Sequence, residues 1–258
     1  MIIKKLGRDA LLYGGGDFLF KIIGFSVFPI YAHIFSLADF GVIALLGASA
    51  GLVGVVINFG VNNSIQRFYW DPGTAKEEQP ILVTTGLLQL VSNGIVVLVL
   101  LLTFLHTQNV FIHKKYGIAW NVLVLAVCAI LPDQILQYVL DAIRLKFAPL
   151  KFLAISFCKN ILGILFGLGM VIGLEWGLSG MFLGALLASL LTLPLGIWLI
   201  REDIVFKFNA EILARLLRYG YPFVFAGIAY WLSSAMDRWM LAQLSQPEDV
   251  GLYGIAFK

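Results

Sequence analysis

The sequence predicts an all-α polytopic membrane protein, built as one six-helix lobe plus the start of a second, repeat-related lobe. Three observations carry that prediction. Of the 258 residues, 60% are hydrophobic and only 13% charged, roughly half the charged fraction of an ordinary soluble chain. Mean hydropathy is +0.92, and the apolar residues come in runs of about twenty, the helix length that crosses ~30 Å of hydrocarbon. Finally, the last stretch of the chain repeats the first. Leu12-Tyr13-Gly14, an apolar run and Ser36-Leu37-Ala38-Asp39-Phe40-Gly41-Val42 return as Arg218-Tyr219-Gly220, a similar run and Ser245-Gln246-Pro247-Glu248-Asp249-Val250-Gly251-Leu252. The copies start 206 positions apart and finish 210 apart, so about one helical turn has been inserted. Such self-similarity in an apolar chain marks two structural repeats. The expected division is 1–200 for the first lobe, 201–218 for a cytoplasmic amphipathic linker, and 219–258 for the start of the second lobe. That last part holds span seven and the opening of span eight, so the chain is expected to be an N-terminal fragment or truncated product.

The spans are placed at about 9–33, 40–65, 81–105, 117–140, 150–173, 177–200 and 219–244, with an eighth opening at Gly251. The first follows a basic N-terminus, but it is too long for a signal peptide and contains Asp17 and Lys21, so it is read as a retained span. Asp71-Pro72-Gly73 supplies turn chemistry after the second span. The third is followed by an outer connection holding His106, His113, Lys114 and Lys115. Pro149 opens the fifth at a position where its missing N–H costs nothing. Leu174-Glu175-Trp176-Gly177 is a very short turn that makes spans five and six a tight hairpin. Glycines recur four apart at Gly47/Gly51, Gly163/Gly167, Gly169/Gly173 and Gly180/Gly184. Small residues at that spacing let helices approach closely in lipid, though plain glycine abundance explains them equally well. Between the lobes, Glu211 to Arg218 is amphipathic and reads as a helix lying at the interface, with an extension of span seven as the alternative.

Orientation follows from charge. The N-terminus and the second, fourth and sixth connections carry twelve basic residues, whereas the opposite side carries only Lys114 and Lys115. The positive-inside rule therefore places the N-terminus in the cytoplasm. The net charge of +3 is spread between spans, which argues against nucleic acid as a partner. Cys128 and Cys158 lie in apolar runs with no metal-binding or disulfide spacing. No catalytic constellation is present, so neither a cofactor, a metal nor an enzymatic role is expected. Asn62-Asn63-Ser64 matches a glycosylation sequon but falls at the cytoplasmic end of span two and is set aside.

Ionisable residues inside the membrane are costly and are functional candidates by default. They are Asp17 and Lys21 in span one, Asp133 in span four, Lys159 in span five, and Asp237 with Arg238 in span seven. Counting from the cytoplasmic ends of their spans, Asp17, Lys21, Asp133 and Lys159 fall in one layer ~12–18 Å deep. Two neutralising pairs that only hold helices together would account for them. A charged layer lining a water-filled cavity between lobes is the functional reading.

The opening Leu11-Leu12-Tyr13-Gly14, the end of span one at Phe28-Pro29-Ile30-Tyr31-Ala32, and Ser36-Leu37-Ala38-Asp39-Phe40-Gly41 together resemble the polysaccharide flippases of the multidrug/oligosaccharidyl-lipid/polysaccharide exporter superfamily. So do Tyr219-Gly220-Tyr221-Pro222, Asp237-Arg238 and Glu248-Asp249-Val250-Gly251-Leu252-Tyr253. The resemblance implies twelve to fourteen spans in two lobes, alternating access, and a bacterial inner-membrane protein that moves undecaprenyl-pyrophosphate-linked O-antigen or capsule units. The implied partners are the lipid-linked oligosaccharide, membrane lipids and other polysaccharide-assembly proteins. It further implies Lys21, Lys159 and Arg238 as cationic substrate-binding positions and Asp17 as a candidate for proton coupling; Asp133, an acid of the same charged layer, is a second candidate for that coupling. Two alternatives stay open: a cation-coupled drug or metabolite exporter of the same fold, and a membrane-embedded glycosyltransferase or polymerase.

Overall fold

The computed structural model describes the backbone of residues 2–256 and the side chains of residues 14–256 other than Asp17. These residues are helical almost throughout, with no strand among them. In chain order the helices are α1 (Ile2–Ile34), α2 (Leu37–Asn58), α3 (Val61–Phe68), α4 (Glu78–Tyr116), α5 (Trp120–Leu145), α6 (Pro149–Leu168), α7 (Gly177–Leu199), α8 (Ala210–Leu244) and α9 (Pro247–Ala256). Seven of them are long and apolar enough to cross a membrane, and the protein is a multi-pass membrane protein.

Three elements depart from the sequence reading, each for a local reason. Span two does not run on to Ile65. It breaks at Phe59 (φ 48°) and Gly60 (φ 74°), two consecutive left-handed residues that no helix accommodates. Gly60 is also where α8 crosses, and a Cβ there would lie 2.0 Å from the Gly220 carbonyl oxygen. The chain then restarts as the short α3, tied to α8 by the buried Ser64 hydroxyl donating to the Leu216 carbonyl at 2.7 Å. Span three is longer than expected, because nothing breaks the helix before Gly117 at φ 68°. The expected outer connection 106–116 is therefore helical, with His113, Lys114 and Lys115 in the last turn of α4, where positive charge meets the negative end of the helix dipole. The amphipathic segment 211–218 forms the first turns of α8 and is not a separate helix. Asn209 caps it, accepting at Oδ1 from the N–H groups of Glu211 (2.8 Å) and Ile212 (3.2 Å), and no breaker follows before span seven.

Hydrophobicity gives no drive between helices inside lipid, so close packing and hydrogen bonds hold the lobe together. The main core joins α2, α4, α5, α6 and α8 through the fully buried Ile57, Leu82, Leu90, Leu136, Ile143, Ile155 and Leu216. Tyr138 is buried among them and donates to the Val83 carbonyl at 2.5 Å. The α6–α7 hairpin closes through the expected glycine seam, for a Cβ at Gly184 would lie 2.5 Å from the Gly167 nitrogen. Gly47, Gly169 and Gly173 face open space and make no such seam.

The repeat is visible in local chemistry. Ser36 and Asp39 form a capping box at the start of α2, with Asp39 N–H donating to Ser36 Oγ at 3.2 Å and Ser36 N–H to Asp39 Oδ2 at 2.9 Å. At the corresponding start of α9, the Ser245 hydroxyl and the Gln246 N–H both donate to Asp249. The two helix starts also pack on each other, with Gly41 set against Pro247 and Gly251 against Leu37. From Tyr13, α1 runs 21 residues to its end, whereas α8 runs 25 from Tyr219. The inserted turn therefore sits inside α8.

Candidate functional site

Helices α1, α2, α5, α6 and α7 enclose a cavity of about 470 Å³. Small residues make the room: Gly47 and Ala50 on α2, Ala126 and Ala129 on α5, Gly163 on α6 and Ala185 on α7. Asp133 and Lys159 stand in its wall and form an ion pair between α5 and α6. Their side chains keep 47% and 34% of their surface. That exposure decides what the pair can do. A pair with that much of its surface open to the cavity is held less firmly than a buried one. Tyr31, Asn160 and Ser189 supply the other polar groups of the wall.

The remaining candidates are placed differently. Lys21 is exposed on α1, is absent from the cavity lining, and makes no hydrogen bond or ion pair with a described residue. α1 itself packs on α6, with Phe20 against Phe157 at 6.4 Å between ring centroids. The side chain of Asp17 lies outside the described residues. Arg238, on α8, lines a neighbouring cavity of 230 Å³ against Ala44, Ala48 and Gly254, and its Nε is buried without a hydrogen-bond partner. Ile43 and Gly47 of α2 line both cavities, so the Arg238 and Lys159 sites back onto the same stretch of helix. The adjacent Asp237 lines neither cavity and accepts from the Tyr253 hydroxyl. The structure thus brings Asp133 and Lys159 together, and seats Arg238 across α2 from them.

One charged group escaped the sequence reading because it lies in a connection. Asp203, in a single 3₁₀ turn after α7, is buried and pairs with Lys146 at 2.5 Å. Its backbone is held as well: Thr84 Oγ1 donates to the Asp203 carbonyl at 3.2 Å and accepts from the Val205 N–H at 3.0 Å. Tyr69 reaches the same carboxylate, and its phenol is pushed up to about 12, first by burial and then by the Asp203 charge and hydrogen bond. No periodicity marks this bracket; only the adjacent Glu202-Asp203 against the basic residues of other connections hints at it.

Known proteins place this architecture. A MATE transporter in complex with MaD5 superposes with a TM-score of 0.67 at 14% identity, covering 87% of this chain and 53% of its own. A MOP superfamily transporter from Pyrococcus furiosus, described as having a binding pocket of reversed polarity that suggests a different function, gives 0.67 at 14% identity over 99% of this chain and 62% of its own. An outward-facing multidrug resistance MATE family transporter of the MOP superfamily gives 0.62 at 16% identity, with 99% and 62% covered. The chain therefore has the fold of these transporters and spans between half and two thirds of their length. No curated protein sequence matches the chain. The sequence model of polysaccharide biosynthesis proteins matches residues 6–258. A helical membrane lobe with an ion-paired cavity, this transporter fold and that near-complete match lead to one conclusion: the chain belongs to the polysaccharide biosynthesis protein family.

Proposed function

We propose that this chain provides the first lobe of a flippase that carries undecaprenyl-pyrophosphate-linked oligosaccharide across the bacterial inner membrane by alternating access, for O-antigen or another surface polysaccharide. The observation that carries this reading is the lysine in the cavity wall. Lys159 is held by a half-exposed aspartate and can exchange that partner for a pyrophosphate oxygen, while the small apolar residues around it accommodate a bulky group. The role is transport and not bond making, in keeping with the fold it shares with transporters. The N-terminus is cytoplasmic in this reading, from the twelve-to-two distribution of basic residues. Membrane-impermeant labelling should then modify Lys114→Cys but not Lys146→Cys in intact cells; the opposite pattern reverses the orientation.

In the complete protein, Lys159→Ala should cut surface polysaccharide export at least about tenfold while leaving membrane insertion intact, and Lys159→Arg should retain most of it. Full export from Lys159→Ala would remove the reading. The same fold in multidrug transporters makes a cation-coupled drug or metabolite exporter the second reading, resting on Asp133 in the same wall. Its signature would be efflux lost in Asp133→Asn and kept in Lys159→Ala.

A further inference from the structure

A third cavity, of about 400 Å³, opens between α2, α3, α5 and α8, at the end of α2 away from its capping box. Its wall is made of amides. On α5, Gln134, Gln137 and Asp141 fall at i, i+3 and i+7 and share one helix face. Facing them across the break at Gly60 are Asn58, Asn62, Asn63 and Gln66. Gly51, Gly54 and Gly227 also line it, with the Gln134 amide lying over Gly54 and the Val55 side chain over Gly227, and the ring of Phe223 closes one side.

Hydrogen-bond accounting shows which of these groups are spent. Asp141 accepts from Asn62 Nδ2 at 2.6 Å, from Gln137 Nε2 at 3.4 Å and from Arg144 Nη1 at 3.3 Å. Arg144 therefore balances the only charge in the wall. Asn62 Oδ1 is buried with no partner. Asn63, Gln66 and Gln134 make no hydrogen bond with a described residue. Each such amide offers two donors and an acceptor, and a buried amide oxygen left unpaired costs about 1–3 kcal/mol. The ligand that satisfies such a wall is electrically neutral and carries groups that donate and accept at once. Hydroxyls do both. The aromatic side gives the apolar face of a sugar ring a surface to lie on. The volume falls within the ~300–1,000 Å³ of small-molecule sites.

We propose that this amide-lined cavity binds the sugar residues of the transported lipid, a site distinct from the ion-paired cavity that takes its pyrophosphate. The inference rests on the flippase reading. Asp133 and Gln134 are neighbours on α5 and point about 100° apart, one into each cavity, so α5 separates recognition of phosphate from recognition of sugar.

Binding to the complete protein in nanodiscs tests this with two probes. One is the polyprenyl-pyrophosphate-linked glycan pool extracted from the source membranes; the other is undecaprenyl pyrophosphate without sugar. The glycan-bearing pool should bind about tenfold tighter, the worth of one or two net hydrogen bonds. Asn63→Ala with Gln66→Ala, two exposed side chains without described partners, should reduce that preference to about threefold or less. The sugar-free lipid should bind as before. Gln134→Ala should act in the same direction and covers the case in which the double variant misfolds. Lys159→Ala should weaken both probes by the same factor. An unchanged preference in both amide variants, or no preference in the parent protein, overturns the sugar site and leaves the flippase reading standing. Failure of the parent protein to bind either lipid removes the flippase reading, and the sugar site with it.

Discussion

Lys159 with Asp133 and Lys146 with Asp203 are the same chemical pair in two settings. The first joins α5 to α6 inside a cavity, with about a third to a half of each side chain exposed. The second joins the end of α5 to the turn after α7, with Asp203 buried, its backbone bonded to Thr84 and its carboxylate shared with Tyr69. Burial separates them. A carboxylate out of water depends on its partner, and losing that partner leaves an uncompensated charge. A carboxylate that keeps about half of its surface open to a cavity depends less on its lysine. The buried pair is held by further contacts, and the cavity pair is the more open of the two.

Stability measurements on both pairs would break or sharpen that distinction. Lys146→Met should cost about 3 kcal/mol, the lower end for a broken buried pair because Lys146 keeps part of its exposure. Adding Asp203→Leu to it should restore much of the loss, since the stranded charge is then gone. Thermal or denaturant unfolding in detergent reads both, and a loss below about 1 kcal/mol for Lys146→Met would erase the contrast. Asp133→Ala, by comparison, should cost no more than about 1 kcal/mol by the same measurement. A loss as large as that of the buried pair would make the cavity pair structural too.

The smallest effect concerns Tyr69. Its folded-state value, about 12, lies above the ordinary 10, so the folded protein holds the phenolic proton more tightly than the unfolded chain. The stabilisation it gives is complete below pH 10 and is lost as pH rises from 10 towards 12. Ultraviolet difference titration, with Tyr69→Phe as the blank, should place this tyrosinate late, and Asp203→Asn should bring it earlier. Titration near 10 in the parent protein would separate Tyr69 from the bracket.

How the chain reports its own structure differs between these two pairs. Asp133 and Lys159 were legible in the sequence because an ionisable residue stands out in an apolar span and helical rise converts position into depth. Their matching heights on consecutive antiparallel spans became an ion pair in space. Asp203 was not legible, since a charge in a connection is ordinary there, and only the fold reveals that the connection is buried. The amides of α3 and α5 were missed for a related reason: no single element is rich in them, and they gather only where α8 crosses α2.

By itself, the sequence determined the helical membrane class, the number and order of the spans, the repeat, and the identity of the intramembrane charges. These follow from local quantities: hydropathy over about twenty residues, helix rise, and the likeness of two short segments. Only the tertiary structure decided that α2 breaks at Gly60, that α4 continues to Tyr116, that Lys21 stays outside the cavity lined by Lys159, and that Arg238 occupies a neighbouring one. The first and last depend on which backbones cross, as where a Cβ at Gly60 would meet the Gly220 carbonyl. Such contacts join residues about 160 positions apart, and no periodicity within a single helix encodes them.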